Sequence, residues 1–229
     1  MFSAIPLNGS HIPEKKLCLT FDDGPGETPG EGAGPKTLKL AGFLRQEDIT
    51  ACFFMTGIHL AKYPRIAPMV SAMGHIVGNH SYTHRKPFPE LLQEGGDIAS
   101  EIEMTDELIR KYNPESTIYF RAPWGDWSGE VAAELNNKID NGLHHVGPFH
   151  WEMGAMDWNY WLHGDSAENC ADYYLEEIQA KNRGIVLMHD STTDLAKARE
   201  NNRTFETVKI LIPKLKGLGY SFIALNEIS

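Results

Sequence analysis

Short apolar runs recur along the chain, each bounded by polar or turn-forming residues, at positions 17–21, 49–55, 75–78, 118–121, 185–189 and 220–225. Their length and their content of β-branched and aromatic side chains predict strands, and the run at 185–189 reads as fully buried. The stretches between them carry a different period. Residues 36–46 and 205–218 are helix-like, and in 97–112 Ile98, Ile102, Leu108 and Ile109 recur at near-helical spacing. Strands alternating with helices imply a parallel sheet, and such units close most naturally into an α/β barrel. Residues 24–35, GPGETPGEGAGP, interrupt the pattern with glycine and proline and predict a mobile rim loop after the first strand. With no internal repeat and no low-complexity tail, residues 1–229 read as a single domain.

Composition narrows the function classes. A chain of 229 residues, 41% hydrophobic and 23% charged, lies in the range of ordinary globular proteins. A formal charge of −10 offers no basic field for nucleic acid or an anionic membrane. The longest apolar stretches fall far short of the roughly 20 residues that cross a bilayer. The opening MFSAIPLNGSHIPEKK has neither a basic start nor an apolar run followed by small residues, so no secretory signal is read, and the compartment stays open between the cytoplasm and an extracytoplasmic site reached with a signal since removed. Nothing in the pattern sets an oligomeric state. Cys18, Cys52 and Cys170 make an odd number without a CxxC pair, which favours buried thiols over a cysteine-ligated metal.

Polar residues of unusual type follow the apolar runs, at what an α/β barrel would make its active-site face. In TFDDG, Asp22 and Asp23 form adjacent carboxylates, one able to ligate a metal while the other takes a proton; the same dipeptide-and-glycine is also a common turn. HSYTH spaces His80 and His84 at i, i+4, which on one helical turn would put both imidazoles within reach of one cation, although ten histidines make some close spacings a matter of chance. Two histidines and a carboxylate leave a position for water, the arrangement of catalytic zinc, and the same donors suit cobalt or nickel. Arg121 in RAPWG has a guanidinium that could grip Asp22 through two hydrogen bonds. Trp124 and Trp127 offer faces for a sugar ring or serve as plain core. His189 ends a buried strand, placed for proton transfer, and Asp157 would orient it and favour its protonated form.

Taken in order, TFDDG, HSYTH, RAPWG, MDW and LMH resemble the five motifs of the polysaccharide deacetylases, the NodB-homology or carbohydrate esterase 4 family, and the resemblance spans nearly the whole chain. It implies a distorted (β/α) barrel of the NodB-homology type. It further implies a metal-dependent hydrolase removing acetyl groups from N-acetylglucosamine-containing carbohydrates, chitin oligosaccharides or peptidoglycan. By that likeness Asp22 is the general base, steadied by Arg121, and Asp23, His80 and His84 hold a divalent metal, zinc first. Asp157 tunes His189 as general acid, Trp158 and Leu187 wall the acetyl pocket, and the Trp124 backbone N–H helps hold the oxyanion. The family often has Pro and Tyr where this chain has Ala122 and Trp124, and the 24–35 loop is long for it, which leaves substrate choice open. Phe149, Trp151, Tyr160 and Trp161 would shape the groove, while His145, His150 and His163 read first as surface or core residues. The alternatives are an O-deacetylase acting on acetylxylan through the same residues and a catalytically silent carbohydrate-binding module.

Overall fold

Strand β1 (Lys16–Asp22) is buried along nearly its whole length, as a central parallel strand covered on both faces should be. The structure, a computed structural model, describes residues 1–28, 32–33, 35–192 and 194–228. β1 pairs on one side with β9 (Gly184–His189), from Leu17 opposite Gly184 to Asp22 opposite His189. On its other side it pairs with β4 (Cys52–Met55) near its carboxyl end and with β10 (Ser221–Phe222) near its amino end. β5 (Ile76–Asn79) extends the sheet beyond β4, and β8 (Met153–Gly154) extends it beyond β9. A bridge between Asn79 and Phe120 carries the curve on to β6 (Thr117–Tyr119), which pairs with β7 (His144–Val146).

All these pairings are parallel, and among the described residues no ladder joins β7 to β8. The amino-terminal segment enters there instead: Leu7 bridges Phe149, its N–H donates to Pro148 O at 2.8 Å, and its carbonyl accepts from the His150 N–H at 2.7 Å. The expected α/β barrel is therefore distorted, curved by the strands and, between β7 and β8, met by a segment that carried no strand signal. The 24–35 stretch contributes a two-stranded antiparallel hairpin, β2 (Glu27–Thr28) with β3 (Gly32–Ala33), and residues 29–31 and 34 lie outside the described residues.

The period of two along the central strands sorts their side chains. Leu17, Leu19 and Phe21 of β1 join Phe53, Val186 and Met188 in the larger core cluster. That cluster is shared with helices α1 (Pro35–Gln46), α8 (Ala167–Lys181) and α10 (Thr204–Gly217), through Leu40, Ile178 and Leu211 among others. The alternate positions Cys18, Cys52 and Ile185 turn the other way and pack with Phe54, Phe149 and Ile12. Asp22 and His189 each lie four residues beyond a member of this second set, Cys18 and Ile185, so the strand period sends them to the same side. The three cysteines are free and buried, and burial pushes the Cys18 thiol up to about 12.

The helices start where sequence and physics agree. Asp97 caps α5 (Ile98–Ile109) by accepting from Ser100 N at 3.2 Å, and Ile98, Ile102 and Ile109 form its buried stripe. Ser166 caps α8 by accepting from Asn169 N at 3.1 Å. The 220–225 run is shorter as a strand than expected, because Leu225–Glu227 turns into a 3-10 helix in which the Glu227 carboxylate accepts from Ala224 N at 2.8 Å.

Phe53 is fully buried at the middle of the sheet, with its ring 5.1 Å from that of Phe21. Phe53→Ala should cost about 3–5 kcal/mol of stability. Urea unfolding should show this as a lower midpoint with an unchanged m value.

Candidate active site

Four strand ends meet at one level. Asp22 and His189 are register partners on β1 and β9, His80 directly follows β5, and Arg121 follows Phe120, which bridges to Asn79. Asp23 breaks from the strand with φ of 71°, a left-handed conformation that an aspartate tolerates better than most residues.

His80 and His84 are brought together by a route different from the expected helical turn. Residues 80–84 form a loop in which Ser81 and His84 take positive φ, 63° and 54°. Side chains hold that shape. Asn79 Oδ1 accepts from Ser81 N at 2.8 Å, and Ser81 Oγ accepts from His84 N at 3.2 Å. Glu101, on α5, accepts from the N–H groups of Tyr82 and Thr83 and from the Thr83 hydroxyl at 2.7–3.0 Å. The two rings end 4.8 Å apart. His80 donates from Nδ1 to the Arg121 carbonyl at 2.9 Å, and His84 donates from Nδ1 to Asp194 Oδ2 at 3.0 Å. With Nδ1 committed on each ring, Nε2 faces Asp23 Oδ1, at 3.5 Å from His80 and 3.4 Å from His84.

These donor atoms of Asp23, His80 and His84 lie within 4.8 Å of one another, and all three residues are buried. Spacings near 3.4 Å are those of two ligands around one ion at bonds of ~2.0–2.2 Å, and a carboxylate with two imidazoles is a donor set suited to zinc. Burial holds the His80 pKa below its ordinary value despite the nearby carboxylates. At His84 burial acts the same way, but Asp23 and Asp194 outweigh it and the pKa is raised.

Arg121 is fully buried. Its Nη1 donates to Asp22 Oδ1 and to Thr20 Oγ1, both at 2.8 Å, and its Nε donates to the Phe149 carbonyl at 3.1 Å. The guanidinium lies 4.4 Å from the ring centre of Phe54. The expected grip on Asp22 is thus a single hydrogen bond rather than a two-pronged one, because the remaining donors face Thr20 and main-chain carbonyls. Asp22 Oδ2 is 3.5 Å from His80 Nε2.

Across the strand register, His189 Nδ1 meets Asp157 Oδ1 at 2.7 Å, and the other oxygen of Asp157 accepts from His189 N at 2.7 Å. Thr204 Oγ1 also reaches Asp157, at 3.2 Å. Burial opposes the charge on His189, but Asp157, with help from Asp23 and Asp22, pushes its pKa up to about 9. The neighbouring Asp190 is buried, and desolvation lifts its pKa to about 7 against the hydrogen bond it accepts from Thr37.

A cavity of about 290 Å³ opens over these groups, lined by Asp22, Asp23, His80, His84 and His189, with Trp124, Trp151, Trp158 and Leu187 among its walls. Trp124 is 56% exposed and tilts over His84 with ring centres 5.4 Å apart. Gly125 has φ of 69°, and a Cβ there would meet the Trp151 ring at 2.5 Å, so this turn admits the indole only because the residue is glycine. Trp127 instead packs on Phe2 and Phe120 and donates to Ser3 O, which resolves it as core. Phe149 and Trp161 are buried in the core clusters, and Tyr160 stacks on Tyr173. His145 pairs with buried Asp106 at 2.8 Å, His150 stacks on Trp151, and His163 is exposed. Asn79, Glu101, Asp190 and Asp194 were missed by sequence reasoning. Asn79 and Asp190 left a signal, each a polar residue at the end of a buried strand next to a histidine.

Residues 10–139 match the family model described as "Polysaccharide deacetylase". A chitooligosaccharide deacetylase of Rhizobium leguminosarum bv. trifolii is 27% identical, over 98% of this chain and 97% of its own length. A peptidoglycan-N-acetylglucosamine deacetylase of Bacillus cereus is 30% identical, over 93% of this chain and 71% of its own. Among solved structures, a peptidoglycan N-acetylglucosamine deacetylase superposes with a TM-score of 0.74 at 21% identity, covering 97% of this chain and 91% of that one, a likeness of fold.

The His189–Asp157 pair has a pH signature. A histidine whose folded pKa is raised adds stability that is fully present below its unfolded value, near 6.5, and is lost as pH rises through about 9. In metal-free protein, nuclear magnetic resonance titration should therefore find His189 protonated until about pH 9, and Asp157→Asn should move that titration down towards 6.5. An unmoved titration in Asp157→Asn would sink the assignment of cause.

Proposed function

This chain belongs to the polysaccharide deacetylase family, and from that premise we propose that it hydrolyses the acetamido group of N-acetylglucosamine-containing saccharides, chitin oligosaccharides or peptidoglycan, releasing acetate. The observation that carries the proposal is the placement of Asp22 and His189 as cross-strand partners flanking the Asp23–His80–His84 cluster, with one cavity over all five. The names of the two relatives support the substrate class, and the 229 residues act as one catalytic domain.

Asp23, His80 and His84 hold a divalent cation in this reading, most simply Zn2+, with Co2+ or Ni2+ able to use the same donors. When bound, the cation supplies Lewis-acid polarisation of the acetyl carbonyl and acidifies water. Asp22 takes a proton from the water that attacks the carbonyl carbon. Arg121 holds that carboxylate to one orientation through its 2.8 Å hydrogen bond, so the base is positioned before substrate arrives. As the tetrahedral intermediate collapses, His189 gives its proton to the leaving nitrogen. Asp157 accepts from its Nδ1 at 2.7 Å, which favours the charged ring, and stabilises the imidazolium without taking up the proton. An amide needs this acid more than an ester does, because an amine anion is the poorer leaving group. Trp158 and Leu187 wall the space for the acetyl methyl group, the Trp124 N–H joins in holding the oxyanion, and the exposed Trp124 ring offers a face to the sugar.

The first test is acetate release from N-acetylglucosamine oligomers, peptidoglycan fragments and acetylated xylooligosaccharides, each with zinc and with chelator. Chelator-sensitive release from an N-acetylated substrate is expected. Release from the xylan fragments alone would replace the amide reading with an ester one, and no release by zinc-bound protein would overturn both. Asp22→Asn should keep the metal while kcat falls by about 10²–10⁴-fold, the usual contribution of a general base. His80→Ala should lose the metal itself, as metal analysis after dialysis would show.

A further inference from the structure

Two histidines face one carboxylate in the candidate metal cluster, and their outer nitrogens are held in different ways. His80 donates to the main-chain carbonyl of Arg121, a fixed group in the buried interior. His84 donates at 3.0 Å to Asp194, whose side chain is 37% exposed and sits on the segment that follows β9. His84 has the greater need of an anchor, since it closes the loop in a left-handed conformation with φ of 54°. Its other ring neighbours are Asp23, 3.4 Å from Nε2, and the tilted rings of His80 and Trp124, and among the described residues Asp194 is the partner of Nδ1.

The segment that delivers Asp194 is itself tied down. Asp190 accepts from Thr37, the Thr192 hydroxyl donates to Leu195 O at 3.1 Å, and Asn202 donates to His189 O at 2.8 Å. Thr192 and Leu195 also line the cavity. One short stretch thus touches the substrate space and the outer nitrogen of His84.

We infer that Asp194 is the positioning residue for His84: its carboxylate accepts the Nδ1 proton, fixes the tautomer that leaves Nε2 bare towards Asp23, and sets the ring angle. This rests on the metal reading above. An outer carboxylate of this kind commonly changes metal affinity by about 10–100-fold. Because Asp194 is partly exposed and outside the core clusters, its removal leaves the fold intact.

The test measures zinc affinity by competition with a chromophoric chelator for the parent, Asp194→Ala and Asp194→Asn, alongside thermal melting of each in chelator. Asp194→Ala should bind zinc at least about 10-fold more weakly, while the metal-free protein still unfolds in one cooperative transition, lowered only as far as the loss of one partly exposed ion pair allows. Asp194→Asn, whose amide oxygen can accept the same proton, should recover most of the loss. Affinity of Asp194→Ala within twofold of the parent, an Asp194→Asn as weak as the alanine variant, or loss of cooperative metal-free unfolding in the alanine variant would each overturn the inference. A parent that binds no zinc would instead overturn the metal reading on which it stands.

Discussion

A buried guanidinium organises the site. Arg121 lies in the interior with no exposure, where an uncompensated charge would be expensive, and its compensation comes from two parts of the chain: Asp22 and Thr20 on β1, and the carbonyls of Phe149 and His150 from the segment entering β8. Asp22 gains as much from the pairing. Its carboxylate is nearly as buried and would otherwise face His80 and Asp23 without a fixed cation. The pair is thus a constraint before it is a chemical device. Any shift of β1 against the Arg121 turn would leave two charges badly solvated, and that penalty fixes where the carboxylate sits.

Asp22 and Asp23 are adjacent in sequence and meet different partners, and the backbone explains the division. Asp22 is still a strand residue, so the period of two turns it to the side where Thr20 and Arg121 lie. Asp23, at φ of 71°, has left the strand, and its carboxylate turns to the two histidines. The same economy of local conformation shapes the histidine loop. Positive φ at Ser81 and His84 folds five residues back on themselves, and Asn79, Ser81 and Glu101 satisfy the N–H groups that this fold exposes.

The strands were legible because buried parallel strands are written as continuous apolar runs, and β1, β4, β5, β6 and β9 all fall inside or overlap such runs. β7 and β8 were not, being two or three residues long within an aromatic stretch that has no period of its own. The polar residues at strand ends were legible for the same reason, since each followed a run that had already been placed. The shape of HSYTH was misread: i, i+4 spacing suggests a helix, and left-handed backbone at serine and histidine leaves no mark on a hydrophobic pattern. Asp194 was invisible because it is one acid in DSTTD, far from His84 in sequence and brought to it only by the turn after β9. Glu101 faces a loop rather than the core, so the helical period that located Ile98 and Ile102 says nothing of it.

The electrostatics of the cavity point in one direction. The His84, His189 and Asp190 pKa values are all raised, and in each case Asp23 and Asp22 contribute to the rise. At the two histidines this happens against burial, which alone would lower the values. Side chains on the histidine loop and at the end of β9 thus register the same excess of negative potential, which at Asp190 adds to the larger effect of burial. Arg121 offsets part of it at Asp22 but lies on the inner side of that carboxylate, away from the cavity mouth, while Asp23 looks towards the histidines. A site with this surplus holds protons more tightly than its groups ordinarily would, and a divalent cation meeting Asp23, His80 and His84 competes for the same field. Proton affinity and cation affinity are then two readings of one charge distribution. His80 is the exception that makes the cluster usable, since burial keeps it neutral and its Nε2 available without a proton to displace.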